Sequence, residues 1–252
     1  MHKILANTIF LGKDIISLPE CHSTNDLAMQ RYKQGLAHEG SIIITENQTK
    51  GRGQRGNDWL SEPFKNLTFT LVLSPSFLDA SEQFDLNILI TLAIREVLGN
   101  YSTGIKVKWP NDIFHERDGK LGGVLIENTV SQKGIDISFI GIGLNINQLS
   151  FAFKGPTSLA ILAGGEVHKD EVFKLIIKSI EIYYLKLKRG YKKQMRAEYI
   201  RHLYRYDEWF LFEDKQHVFK GKIVGISEEG ELIIKDEHDS INQYSFQQVK
   251  FR

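Results

Sequence analysis

Residues 41–56, SIIITENQTKGRGQRG, restrict what this chain can become more than any other stretch. Ser-Ile-Ile-Ile reads as a buried strand, and the chain then breaks into a loop rich in glycine and arginine. Glycines 51, 53 and 56 let the backbone turn sharply and approach a ligand closely. Lys50, Arg52 and Arg55 bring cationic side chains into the same few residues. A cationic loop at a strand end suits a small anion, above all a phosphate or a carboxylate. The loop also spells G-x-G-x-x-G, but a dinucleotide fingerprint requires a helix to begin at once. Here Asn57-Asp58-Trp59-Leu60-Ser61-Glu62-Pro63 follows, and then a strand over 67–73. The dinucleotide reading is therefore set aside. Taken alone, the loop also fits a solvated surface loop with incidental arginines.

Composition narrows the classes further. The 252 residues, 42% apolar and 25% charged, fit a soluble globular protein with one large core, or one large and one small domain. Lysine plus arginine (32) nearly balance aspartate plus glutamate (31), so no bulk attraction to nucleic acid or membrane is expected. The single cysteine, Cys21, excludes an internal disulfide and fits a reducing compartment. It reads as a small half-buried apolar residue rather than a nucleophile. No apolar run reaches membrane-spanning length, and residues 1–14 lack the apolar segment of a signal peptide. A cytoplasmic protein is expected.

Taken in order, residues 1–22 suggest an edge strand and its lead-in, with apolar pieces at Ile4-Leu5, Ile9-Phe10-Leu11 and Ile15-Ile16. Ser23-Thr24-Asn25-Asp26 opens a helix with a start resembling a capping box, and its hydroxyls and amides are available to a polar ligand. Ser81 is expected to cap a helix over about 82–98, with Leu86, Leu89, Ala93 and Val97 inward. Lys106-Val107-Lys108 is a strand that Pro110 ends, gathering Trp109, Asn111 and Asp112 at its tip. Lys120 falls in a charged turn before Leu121-Gly122-Gly123 and a strand over 124–127. Residues 139–147, FIGIGLNIN, form a strand whose glycines admit close approach, with Asn145 and Asn147 at its end. Helices are expected over 158–162, 169–189 and 192–204. Short strands over 209–212, 218–225, 231–235 and 243–251 suggest a small β-barrel.

Several motifs then converge: Ser23-Thr24-Asn25, Gln48, Gly51-Arg52-Gly53-Gln54-Arg55-Gly56, Lys108-Trp109-Pro110-Asn111-Asp112, Lys120-Leu121-Gly122-Gly123 and Gly141-Ile142-Gly143-Leu144-Asn145. In order and spacing they resemble the biotin protein ligases over nearly the whole chain, in a monofunctional form without an N-terminal DNA-binding domain. The resemblance implies an α/β catalytic domain over 1–205, related to class II aminoacyl-tRNA synthetases and lipoate ligases. It also implies an SH3-like β-barrel over 206–252. With ATP and Mg2+, biotin would become biotinyl-5′-AMP and then pass to a lysine of a biotin carboxyl carrier domain. Lys120 and Arg52 are the implied catalytic residues. Biotin would touch Ser23, Thr24, Asn25, Gln48, Gly51, Arg52, Lys120, Gly123 and Gly143. The nucleotide would touch Arg52, Gln54, Arg55, Trp59, Asn111, Asp112, Lys120 and Asn145. No metal ligands are assigned, and Asp112 is the suggested recipient of the acceptor lysine's proton.

The same resemblance exposes departures. Only the residues before Ser23 precede the first motif, so no operator-binding helix-turn-helix is expected, and with it no DNA partner. The family commonly carries arginine where this chain has Gln54, which bears on how tightly the adenylate is kept. Monomers and dimers built by sheet extension both occur in the family. Two other readings stay open on sequence: a lipoate ligase, and a non-enzymatic regulator using the basic loop.

Overall fold

The computed structural model describes residues 7–215 and 217–252, excluding the Arg55 side chain, so Ile4-Leu5 and the expected role of Arg55 lie outside the described residues. Strands β1 (Ile15–Leu18), β2 (Ile42–Thr45), β3 (Leu67–Leu73), β4 (Ile105–Lys108), β5 (Asp112–His115), β6 (Gly119–Ser131) and β7 (Gly134–Leu144) form one sheet. Its order is β1-β2-β3-β7-β6-β5-β4, parallel between β1 and β2 and antiparallel elsewhere. Helix α1 (Thr24–Lys33) lies on one face, where Ala28 packs with Ile43, Val72, Ile137 and Phe139. The opposite face carries the larger core, built with α2 (Phe84–Leu98), α3 (Leu159–Ala163), α4 (Lys169–Lys188) and α5 (Lys192–Arg201).

Two covered faces explain why β3, LTFTLVL, is buried at every position, though its pattern suggests a half-exposed strand. Helix α2 packs against the sheet and α4, so most of its surface is buried rather than a single stripe. Its start differs from expectation. Ser81 lies inside a 3-10 turn, Ala80–Glu82, that Asp79 and Glu82 close as a capping box, and α2 begins at Phe84. The expected helix over 192–204 stops at Arg201.

Residues beyond α5 form strands β8 (Trp209–Glu213), β9 (Val218–Ile226), β10 (Leu232–Asp236), β11 (Ile241–Tyr244) and β12 (Lys250–Phe251). The single strand expected over 243–251 is thus two. They pair antiparallel in the order β11-β10-β9-β8-β12. Among the described residues no ladder joins β11 to β12, so hydrogen bonding leaves this sheet open where a closed barrel was expected. Its β9–β10 turn docks on the larger unit. Arg196 of α5 reaches Asp85 Oδ1 at 2.7 Å and donates to the carbonyls of Ser227 and Glu228 at 2.9 and 2.6 Å. Gly230, at φ +89°, lies against the Phe84 ring so closely that a Cβ would meet Cγ at 2.1 Å.

Candidate active site

Side-chain alternation along the large sheet decides where the chemistry lies. Phe69 and Leu71 of β3, Ile142 and Leu144 of β7, Val107 of β4 and Ile113 of β5 all belong to the larger core. Their strand neighbours Thr68, Thr70, Gly141, Gly143, Lys108 and Asp112 therefore turn to the face that α1 shares. All of these except Thr70 line a cavity of about 720 Å3.

Lys120 reaches that face only through an irregularity. On β6, Gly123 pairs with Asp112 and Gly122 with Ile113, so simple alternation would turn residue 120 the same way as Gly122, away from the cavity. A bulge at Ile113/Phe114 leaves Leu121 unmatched; Lys120 then pairs with Phe114 and comes round beside Asp112. Lys120 Nζ lies 2.7 Å from Asp112 Oδ1. Lys120 is thus a strand residue, and the turn expected around it lies just before it. Gly123 and Gly143 pair across β6 and β7 and keep the cavity floor free of side chains.

The N-terminus of α1 supplies the polar wall. Ser23 caps the helix by accepting from Asp26 N at 3.4 Å. Asp26 does not complete a capping box, because its carboxylate pairs with Arg52 Nη2 at 2.6 Å. Thr24 donates its N–H and hydroxyl to Gln48 Oε1 at 2.8 and 3.0 Å. Thr70 Oγ1 stands 2.5 Å from Asn25 Oδ1, and the Asn25 amide donates to Glu127 Oε2 at 2.8 Å. Glu127 also holds Arg52 at 3.0 Å. Ser23, Thr24 and Asn25 are all buried, and their partners account for that burial.

The glycine-rich loop closes on itself. Trp59 N donates to Gly51 O at 2.9 Å, and Gly53 N donates to Asn57 O at 2.6 Å. Gly51 is outside the cavity lining; a Cβ there would stand 2.3 Å from Trp59 O, so the residue serves loop closure. The loop delivers the Trp59 indole onto Gly143, where a Cβ would meet Cε2 at 2.4 Å. Trp59 Nε1 is buried with no acceptor, an unmet donor at the edge of the site. Gln54 lines the cavity.

The Trp-Pro-Asn corner between β4 and β5 is braced from behind. Tyr199 and Asn87 both donate to Pro110 O, and the Asn111 amide donates to Val124 O. Trp109 Nε1 donates to Gly230 O at 2.8 Å and its ring meets Phe246 edge-on, so this residue ties the site to the C-terminal sheet. Asn145 is not among the lining residues; it is buried, donates to Thr157 O at 3.1 Å and leaves Oδ1 without a partner. Burial pushes the Cys21 thiol up, as fits an unreactive half-buried cysteine.

Several participants were not named from sequence. Thr70 and Glu127 organise the polar wall, and Lys108, quoted only as part of a motif, lines the cavity. Phe246 and Val249, between β11 and β12, and Lys250 and Phe251 of β12 line it too. Among lining residues, Arg52, Lys108, Lys120 and Lys250 face Asp58 and Asp112, four cations less two anions, a balance of +2. Such a cavity suits a polyanion.

Comparison with known proteins gives the family of the chain. The sequence profile of the biotin/lipoate A/B protein ligase family matches residues 18–147. Chloroplastic biotin–protein ligase 1 of Arabidopsis thaliana is 30% identical over 54% of this chain and 37% of its own length. A biotin–[acetyl-CoA-carboxylase] ligase of Paracoccus denitrificans is 33% identical over 51% of this chain and 53% of its own. The chain thus spans about a third and a half of these two relatives. The biotin protein ligase of Aquifex aeolicus, solved with biotin and ATP, superposes with a TM-score of 0.77 at 28% identity, covering 95% of this chain and 99% of that one. With a profile match over more than half its length, on the residues that wall the cavity, the chain belongs to the biotin/lipoate A/B protein ligase family.

Proposed function

We propose that this protein is a biotin–protein ligase that activates biotin with ATP and passes it to a lysine of a biotin carboxyl carrier domain. One observation carries the reading: the polar wall at α1, the glycine floor at 123 and 143, and the Lys120–Asp112 pair meet in one cationic cavity. A cavity of about 720 Å3 lies within the range of small-molecule sites. The Paracoccus relative's name points to the carrier domain of acetyl-CoA carboxylase as the acceptor.

In the first half-reaction a carboxylate oxygen attacks the α-phosphorus, the bond to the β-phosphate breaks, and pyrophosphate leaves with the electron pair. Two anions must approach one another, so fixed cations at the meeting point do most of the work. Lys120 takes that place, and its pair with Asp112 fixes where its ammonium points. Arg52 stands at the rim, already held by Asp26 and Glu127, and steadies the loop over the substrates. Ser23, Thr24, Asn25 and Gln48 hold biotin, Gly123 admits it to the backbone, and the open face of Gly143 takes the Trp59 indole that closes beside it. Asn111 shapes the nucleotide end, and Gln54 belongs to the same side, while Asn145 stays outside the lining. Trp59, closed over Gly143, keeps water from the mixed anhydride.

No group of three or more acidic, histidine or cysteine side chains among the described residues can hold a metal. Magnesium fits here as an ion carried by the phosphates, with Asp112, the lining carboxylate paired with Lys120, at hand to help hold it. It would neutralise phosphate charge. In the second half-reaction the acceptor amine must lose a proton, and Asp112, a carboxylate of the lining, is the recipient we assign.

Residues 1–205 form the catalytic unit and 206–252 the appended sheet. No helix among the described residues is long and apolar enough to cross a membrane, and we place the enzyme in the cytoplasm. The β4 edge is covered by 202–204, where Val107 N donates to His202 O at 2.9 Å, so a dimer built by sheet extension would use β1. Biotin-dependent exchange of labelled pyrophosphate into ATP tests the activity. Exchange with lipoate instead of biotin would assign the chain to the other branch of its family, and no exchange with either acid would remove the ligase reading.

A further inference from the structure

Lys108 sits in an unusual place for a lysine. It is partly buried at the end of β4, with its Nζ 5.0 Å from the centroid of the Phe114 ring and 5.2 Å from that of Phe251. No carboxylate among the described residues lies within ion-pair distance of it. The nearest acid in the ladder, Asp112, pairs opposite Lys108 in register but gives its Oδ1 to Lys120. Burial lowers the Lys108 pKa, and Lys120 adds to that, with only Asp112 opposing.

A desolvated cation held by two ring faces and no anion is costly unless a ligand completes it. The open side of Lys108 faces the cavity, whose lining carries the excess of two positive charges. Lys120 occupies the point where carboxylate and α-phosphate meet, and Lys108 stands across Asp112 from it. We propose, on the ligase reading above, that Lys108 binds the outer phosphates of ATP and holds the pyrophosphate charge as the α–β bond breaks. No proton moves in this step; the leaving group takes the bonding pair and Lys108 neutralises part of it.

The cradle also draws on the C-terminal sheet. Phe251, on β12, forms half of the cradle, and Tyr204 stands against both rings, 4.8 Å from Phe114 and 6.1 Å from Phe251. Lys108 is therefore aimed only when that sheet is docked.

The test separates the two half-reactions. Lys108→Met removes the charge and keeps the length. It should raise KM for MgATP in biotin-dependent pyrophosphate release by about ten- to a hundredfold, the range for losing a charged hydrogen-bond partner. Direct biotin binding and transfer from supplied biotinyl-5′-AMP, which lacks the outer phosphates, should stay near wild type. Lys108→Arg should recover most of the loss. In the wild-type protein, MgATP should shield Lys108 from reductive methylation and AMP should not, which keeps the question answerable if the variant fails to fold. An unchanged KM for MgATP, equal loss in both half-reactions, or equal shielding by AMP and MgATP would overturn the proposal. Failure of the ligase reading looks different: the wild type would release no pyrophosphate with biotin, whatever Lys108 does.

Discussion

Lys120→Ala separates catalysis from stability. The Lys120–Asp112 pair is short, 2.7 Å, but its side chains are 37% and 28% exposed. Pairs so exposed contribute about 0–1 kcal/mol to folding. For a chain of this size that corresponds to a melting-temperature change of about 4 °C or less. The reaction should suffer far more. Removing one preorganised donor at developing charge costs about 3–4 kcal/mol, a hundredfold or more in rate. The variant also leaves the Asp112 carboxylate unbalanced beside incoming phosphates. At about 8 Å and an effective dielectric near 20, that repulsion is about 2 kcal/mol, which raises KM for MgATP as well. Single-turnover adenylate formation, with calorimetric melting alongside, measures both quantities. Pyrophosphate release within a few-fold of wild type would remove Lys120 from the mechanism. A collapse in melting temperature matching the loss of rate would show its role to be structural.

Other outcomes follow from the same site. Gln54→Arg adds a charge-assisted contact worth about 1 kcal/mol more than a neutral one, so biotinyl-5′-AMP should leave several-fold more slowly in a chase experiment. Equal release from wild type and variant would refute that. Gly143→Ala places a Cβ 2.4 Å from Trp59 Cε2 and must dislodge the indole, so biotin affinity should fall and tryptophan emission shift to the red; unchanged emission would mean that Trp59 does not rest there in solution. Glu82, hydrogen-bonded by Lys192 and by the Asp79 backbone, has its pKa lowered from 4.5. A depressed carboxyl stabilises the fold above the unfolded value and loses that contribution as pH falls through the folded one. Wild type should therefore exceed Glu82→Gln in denaturant stability at pH 7, with the gap closing below pH about 4.5; a constant gap would contradict the assignment.

How far the site could be read from sequence depends on how local its causes are. Ser23, Thr24 and Gln48 were legible as lining residues because capping and motif spacing act over a few residues, whereas Gly51, expected at the ligand, closes the loop outside the lining. Lys120 was found by motif but misplaced in a turn, since its side of β6 depends on a bulge opposite Phe114 that alternation does not reveal. The strand β5 was missed because Asp-Ile-Phe-His is short and follows a proline corner that reads as a loop. Phe251 and Val249 enter the cavity from more than a hundred residues beyond the Trp-Pro-Asn corner, through a docking surface set by Arg196, Gly230 and Phe84. No local pattern announces such a contact. Lys108 stood inside a quoted motif, yet only its aromatic cradle marks it as more than a strand-end cation.

Incubating the protein with labelled biotin, MgATP and the carrier domain of acetyl-CoA carboxylase, then following label on the carrier, tests the central claim most directly. The predicted result is one label per carrier on a single lysine, dependent on ATP, absent when that lysine is replaced and not reproduced with lipoate. Label that never reaches the carrier, or lipoate that reaches it as readily as biotin, would contradict the account.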